Sequence, residues 1–245
     1  MNAQLFATCL VESWRPGIAT AAEQLLAQAG VQARRVSRVG CCGQVAFNAG
    51  EWDAARKMAI AWLQVVDPTT PVIMPSGSCA AMVRHGYALL LTGSRYESLW
   101  RTVADLTFEL SQFLVDALHF EPQGLHANGE VVTYHPSCHL LRMLGVQDAP
   151  LRLIQAVRGV RYVPLPEAEI CCGFGGLFAI HMPQLSEALL RRKLEAIQRT
   201  GASTVLGCDW SCLMHLAGGL HRAGMPVRAL HLAEWLMAKQ RANSE

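Results

Sequence analysis

The chain has 245 residues, 51% of them hydrophobic and 16% charged, with a net charge of +2. That composition supports a large core, and with no basic run it excludes the usual electrostatic footprint of a nucleic-acid-binding protein. No stretch approaches the roughly 18 apolar residues that span a bilayer, and nine cysteines, an odd number that includes adjacent pairs, fit a plain disulfide framework poorly.

The first residues carry neither the charged n-region nor the long apolar h-region of a secretory leader, and they predict a strand over 4–8 ending at Cys9. The expected location is therefore cytoplasmic, where thiols stay reduced and clustered cysteines serve metal or redox chemistry. Pro16 suits a first helical turn, the apolar positions through Leu25 and Leu26 continue a helix, and Gly30 stops it. Val31 to Val36 predicts a second strand, leading into a Cys41-Cys42-Gly43 turn. Residues 51–66 predict a helix with Trp52, Ala55, Ala59 and Leu63 on one stripe. A third strand over 71–74 runs into the tight turn Pro75 to Cys79, which opens another helix. Residues 95–120 carry Leu, Phe and Val at helical spacing and predict a long helix with room for a break. The connection from Pro122 to Gly129 divides the chain into expected lobes of residues 1–124 and 125–245.

The second half repeats the order: a strand at 130–135, Cys138, a helix near 148–157, a strand at 160–165 and Cys171-Cys172-Gly173. A helix at 183–199, a strand at 204–206, the Cys208 to Cys212 turn and a last pair of elements complete it. A displacement of 129 to 130 residues carries Cys9, Cys41 and Cys42 onto Cys138, Cys171 and Cys172. Such a repeat decides the architecture. The expectation is an α/β fold of two pseudo-symmetric, Rossmann-like lobes with parallel sheets, from an internal repeat of about 130 residues.

Each cysteine group then falls where a strand ends or a helix begins, the edge of an open α/β sheet at which ligands bind. Eight cysteines at matched positions are hard to explain as packing, although an isolated buried cysteine usually is packing. Iron–sulfur clusters are held by thiolates, and the crowded anionic sulfur needs nearby backbone N–H donors. Gly43, Gly77, Gly173, Gly175 and Gly176 are the expected cofactor-binding glycines, because they let the backbone approach closely. The proposed metal ligands are Cys9, Cys41, Cys42, Cys79, Cys138, Cys171, Cys172, Cys208 and Cys212.

Plainer readings stand beside these. A structural zinc uses the same thiolates, although its ligands usually sit two to four residues apart and less often side by side. A thiol–disulfide role lacks its usual Cys-x-x-Cys. His139 could donate to a cluster sulfur or simply cap a helix, and His135, His181 and His231 read as structural. Met82 and the other methionines read as core filler, as do the tryptophans. Gly173-Phe174-Gly175-Gly176 lacks the full nucleotide fingerprint. No Walker motif or Ser-His-Asp arrangement is present in the sequence, so no catalytic residue is assigned.

The combination of Thr8-Cys9-Leu10, Cys41-Cys42-Gly43-Gln44, the Pro75 to Cys79 turn, Tyr134-His135-Pro136-Ser137-Cys138-His139, the Cys171 to Gly176 run, Cys212-Leu213-Met214 and His231 to Glu234 resembles proteins built on the cysteine-rich CCG domain. The cysteine-rich subunit of heterodisulfide reductase and the glycolate oxidase iron–sulfur subunit are of this kind. Essentially the whole chain is most similar to the lactate utilization protein A family, a short form made of two such domains. The resemblance implies one or two [4Fe-4S] clusters and an iron–sulfur oxidoreductase component. It would act with partner subunits of a lactate-oxidising complex, converting L-lactate to pyruvate. The alternatives are a zinc-stabilised scaffold and a subunit of a heterodisulfide or thiol reductase. In the heterodisulfide reductase each full motif supplies five cysteines to a non-cubane cluster. Here Met82 occupies the position three after Cys79, leaving four in the first lobe, whereas the second lobe has five, with Cys208 and Cys212 three residues apart. The second site is thus expected to be the more complete.

Overall fold

The computed structural model describes residues 1–36 and 40–241. The first lobe opens with β1 (Asn2–Leu5), α1 (Cys9–Trp14), α2 (Gly17–Gln28) and β2 (Gln32–Arg35). After the Cys41-Cys42 turn come α3 (Gln44–Asn48), α4 (Trp52–Leu63), β3 (Val72–Met74) and α5 (Gly77–Ala81). A π-helical turn over Met82–Gly86 continues into α6 (Tyr87–Leu91), followed by α7 (Glu97–Asp105), β4 (Thr107–Glu109) and α8 (Leu110–Gln112), which runs on into a second π turn. The apolar side chains of α2 at Ile18, Ala22, Leu25 and Leu26 recur at helical spacing and are buried against the sheet.

The second lobe repeats this with β5 (Val131–His135), a π turn at His139–Met143, α9 (Asp148–Gln155) and β6 (Arg161–Tyr162). It continues through α10 (Phe178–His181), α11 (Pro183–Thr200), β7 (Thr204–Gly207), α12 (Trp210–Arg222), β8 (Arg228–His231) and α13 (Leu232–Arg241). Two four-stranded sheets result, in the orders β2-β1-β3-β4 and β6-β5-β7-β8, with every pairing parallel. The fold is therefore α/β in two similar lobes, as the sequence predicts.

Two expectations need correction. The long helix over 95–120 is interrupted by β4, which pairs with β3 as the edge of the first sheet. Its spacing misleads because Thr107 and Glu109 are buried on one side while Phe108 packs on the core from the other. Glu109 also starts α8, accepting the amides of Ser111 and Gln112. The strand expected over 160–165 shrinks to Arg161–Tyr162.

The lobes share one core. Leu25 and Leu26 of α2, Leu153 and Ile154 of α9, and Trp235 and Leu236 of α13 bury against one another across the junction. Register fixes how one lobe maps on the other. Gln4 pairs with Val72 in the first sheet, and Thr133 pairs with Val205 in the second. The next residues along β1 and β5 then match Leu5 with Tyr134, and past the end of β1 Phe6 matches His135. Among the described residues no helix is long and apolar enough to cross a membrane.

Candidate metal centre

All nine cysteines are free thiols, and eight of them gather in two sets of four. In the first lobe Cys9 interacts with Cys41, Cys41 with Cys42, and Cys42 with Cys79. In the second, Cys138 interacts with Cys171, Cys171 with Cys172, and Cys172 with Cys212. Each set is assembled from the carboxyl ends of two central strands and the Cys-Cys-Gly turn between them. Both sets line a single cavity of about 170 Å³ between the lobes, together with Thr8, Gln44, His139, Phe174 and Trp210.

The Cys-Cys-Gly turns depend on glycine. Gly43 has φ +86 and Gly173 φ +92, which L side chains resist. A Cβ on Gly173 would also meet the Ser186 carbonyl at 2.5 Å, whereas one on Gly43 would meet the Ala55 carbonyl at 3.3 Å. The amide of Gly43 donates to Cys41 Sγ at 3.4 Å, and that of Gly173 to Cys171 Sγ at 3.3 Å. Phe174 N adds a bond of 3.5 Å to Cys172 Sγ. The Tyr87 hydroxyl donates to the Cys42 carbonyl at 2.9 Å, and the Ser186 hydroxyl to the Gly173 carbonyl at 2.7 Å, pinning each turn from behind.

The electrostatics follow from this crowding. Thiol donation from Cys42 and Cys9 holds Cys41 low, and donation from Cys138 and Cys172 does the same for Cys171. The donors shift the other way: hydrogen bonding to Cys41 raises Cys9 and Cys42, and hydrogen bonding to Cys171 raises Cys138 and Cys172. Cys41 and Cys171 are thus the thiols whose ionised form each turn favours, and a bound cation would favour thiolate at its ligands. Four soft sulfurs, glycine amides aimed at them and a pocket that shields them form a donor set suited to iron–sulfur or zinc.

The remaining predicted residues divide. Gly175 and Gly176 line the cavity. Gly77 serves the lobe junction instead: its amide donates to the Cys208 carbonyl at 3.3 Å, and a Cβ there would meet Leu140 Cβ at 2.7 Å. Cys208 stands apart from the four thiols of its lobe and does not line the cavity they share. Its Sγ takes the Tyr134 hydroxyl at 3.6 Å and lies 4.0 Å from Ser111 Oγ, because it occupies the place that Pro75 holds in the first lobe.

Sequence reasoning gave no role to Asp209, Gln44 or Lys193, and it read His135 as structural and His139 as a donor to sulfur or a helix cap. Asp209, buried at the start of α12, accepts from Ser211 N at 3.2 Å and reaches across to Ser78 N at 2.7 Å, so one carboxylate caps a helix from each lobe. Gln44 Nε2 lies 3.3 Å from His139 Nε2, a second bridge over the cavity, and His139 Nδ1 lies 3.7 Å from Cys138 Sγ. His135 sits at the end of β5, and burial pushes it down to about 3, keeping the ring neutral. Lys193 is also buried, donating to the Glu167 and Ala168 carbonyls at 2.9 and 3.1 Å.

The model of the cysteine-rich CCG domain matches the chain twice, over residues 3–84 and 132–217, and each match encloses one thiol set. Lactate utilization protein A of Anoxybacillus flavithermus is 39% identical over 236 residues, covering 96% of this chain and 99% of its own length. The chain belongs to the lactate utilization protein A family. Another member, from Geobacillus sp. (strain WCH70), is 39% identical over 240 residues, 98% of this chain and 100% of its own. Among solved structures, an aspartate racemase homologue from Pyrococcus horikoshii OT3 matches 100% of both chains at TM-score 0.35 and 10% identity, which bears on neither fold nor site.

Proposed function

We propose that this chain is an iron–sulfur subunit that passes electrons during oxidation of L-lactate to pyruvate, in the cytosol and within a multi-protein complex. Each lobe, 1–124 and 125–245, holds a cluster of the [4Fe-4S] class, the first on Cys9, Cys41, Cys42 and Cys79, the second on Cys138, Cys171, Cys172 and Cys212. The observation that carries the reading is that eight thiols form two matched sets around one cavity. Bound there, such clusters supply one-electron steps.

The chain's own residues do the rest. The Gly43, Gly173 and Phe174 amides hold thiolate sulfur, and Asp209 with the Gln44–His139 pair keeps the lobes at fixed separation. Removing a pair of electrons and a pair of protons from lactate calls for a hydride acceptor or base, and no such group is assigned in this chain. That step belongs to the partner subunits, and the role in lactate utilization rests on the name its relatives carry.

Anaerobic purification tests the reading. The protein should be brown and contain iron and acid-labile sulfide, and with its partner subunits it should support lactate-dependent dye reduction. Colourless protein with stoichiometric zinc would overturn it in favour of a zinc-stabilised scaffold.

A further inference from the structure

The two thiol sets match, but what stands behind them does not. In the first lobe Phe6 and Trp62 meet edge to face, with ring centroids 5.7 Å apart. The register that places Phe6 opposite His135 has a companion in the helices. Gly43 packs on Ala55 and Met58, and Gly173 on Ser186 and Leu189, so Trp62 of α4 corresponds to Lys193 of α11. An aromatic pair in one lobe is therefore an imidazole and an ammonium in the other.

His135 is 1% exposed, and neither ring nitrogen has a hydrogen-bond partner among the described residues. Leaving buried polar atoms unpaired is costly, and such exceptions call for an absent partner. A ring nitrogen of His135 and the sulfurs of Cys172 and Cys212 all lie within 4.8 Å of one another, a convergence that ordinary packing does not require. Imidazole is a common metal ligand, and mixed Cys/His sets hold both zinc and iron–sulfur centres.

We propose that His135 is a ligand of the metal centre in the second lobe, joining Cys172 and Cys212 through a ring nitrogen, so that this centre is a mixed sulfur–nitrogen site while the first is all-thiolate. The inference rests on the reading that the thiol sets bind metal. A neutral nitrogen donor adds no further negative charge to the four thiolates, and the Lys193 ammonium beside them makes their surroundings less negative than in the first lobe, where Trp62 stands. The second centre is therefore the easier to reduce. The rival imidazole is His215, three residues after Cys212 and opposite Met82, whose Nε2 is also without a partner.

Pulsed electron paramagnetic resonance on reduced, anaerobically purified protein tests this, with unlabelled and 15N-histidine-labelled samples. Expected is a strong nitrogen coupling that changes with the label, persists in His215→Phe and disappears in His135→Phe. His135→Phe installs the residue that the first lobe already holds, and circular dichroism with the iron content checks that the variant folds. His135→Gln gives a second variant of similar polarity. A strong coupling that survives His135→Phe, or a cluster showing only the weak coupling of an N–H···S contact, overturns the assignment. If the protein carries zinc, the cluster reading fails but the ligand assignment still meets its test: zinc-edge X-ray absorption should show nitrogen beside sulfur, lost in His135→Phe. A sulfur-only shell, or protein that takes up neither metal, overturns it.

Discussion

The two lobes place four thiols each in the same turns and on the same strand ends, yet back them with opposite chemistry. Phe6 and Trp62 give the first set an aromatic wall, in which Trp62 Nε1 is buried without a partner among the described residues, whereas His135 and Lys193 give the second a neutral imidazole and a buried cation. The turn glycines differ too, with Gly173 far more tightly enclosed than Gly43. The repeat thus keeps the four thiols and changes their surroundings, which would separate the properties of two like centres if both bind metal.

The largest effects should come from the thiols themselves. Cys79→Ser and Cys212→Ser should each remove the metal of one lobe and leave the other, read as iron per chain. Cys208→Ser should leave the metal content unchanged, because that sulfur faces Tyr134 and Ser111. A loss of iron in Cys208→Ser would bear out the five-sulfur expectation.

Next in size is the turn comparison. Gly173→Ala combines a positive φ with an approach of 2.5 Å to a backbone carbonyl, and should cost about 3 kcal/mol or more in chemical denaturation. Gly43→Ala, with 3.3 Å to its nearest carbonyl, should cost about 1 kcal/mol. Equal losses would mean that the two turns are not held differently.

A third asymmetry lies at the far ends of the sheets, where Glu109 of β4 corresponds to His231 of β8 by register. Burial raises Glu109 from 4.5 to about 7, so its contribution to stability is full below pH 4.5 and is lost as pH rises through 7. Burial lowers His231 from 6.5 to about 4, so its contribution is full above pH 6.5 and is lost as pH falls through 4. Each is worth on the order of 3 kcal/mol, with opposite sign. Glu109→Gln should therefore remove a stability decrease between pH 4.5 and 7, and His231→Gln a stability increase between pH 4 and 6.5. Denaturant midpoints across that range give the comparison, and parallel profiles for both variants and the unaltered protein would reject it. The smallest effect is expected at Gln44→Ala, about 1 kcal/mol, from losing the bridge to His139.

Much of this was readable in the chain, and the reasons are physical. Paired cysteines followed by glycine repeat at one spacing, and strand–helix alternation implies parallel sheets, so both the fold and the eight thiols were accessible. What escaped depended on burial from distant elements. Cys208 looks like a fifth ligand because it lies near Cys212 in sequence, but the strand it ends points it at Tyr134. His135 reads as an ordinary core residue until the register sets it against Phe6 and two sulfurs. Thr107-Phe108-Glu109 carries no alternation long enough to separate a three-residue edge strand from the helical spacing around it. Asp209 is a plain N-cap in sequence, and its reach to Ser78 exists only because the lobes fold together.

Whether the two matched thiol sets hold two unequal redox centres is tested most directly by a potentiometric titration of the anaerobic protein, followed through its visible and paramagnetic signals. Two reduction waves are predicted, the higher one disappearing in Cys212→Ser and the lower one in Cys79→Ser. A single wave that both substitutions abolish together, or a higher wave that belongs to Cys79, would contradict it.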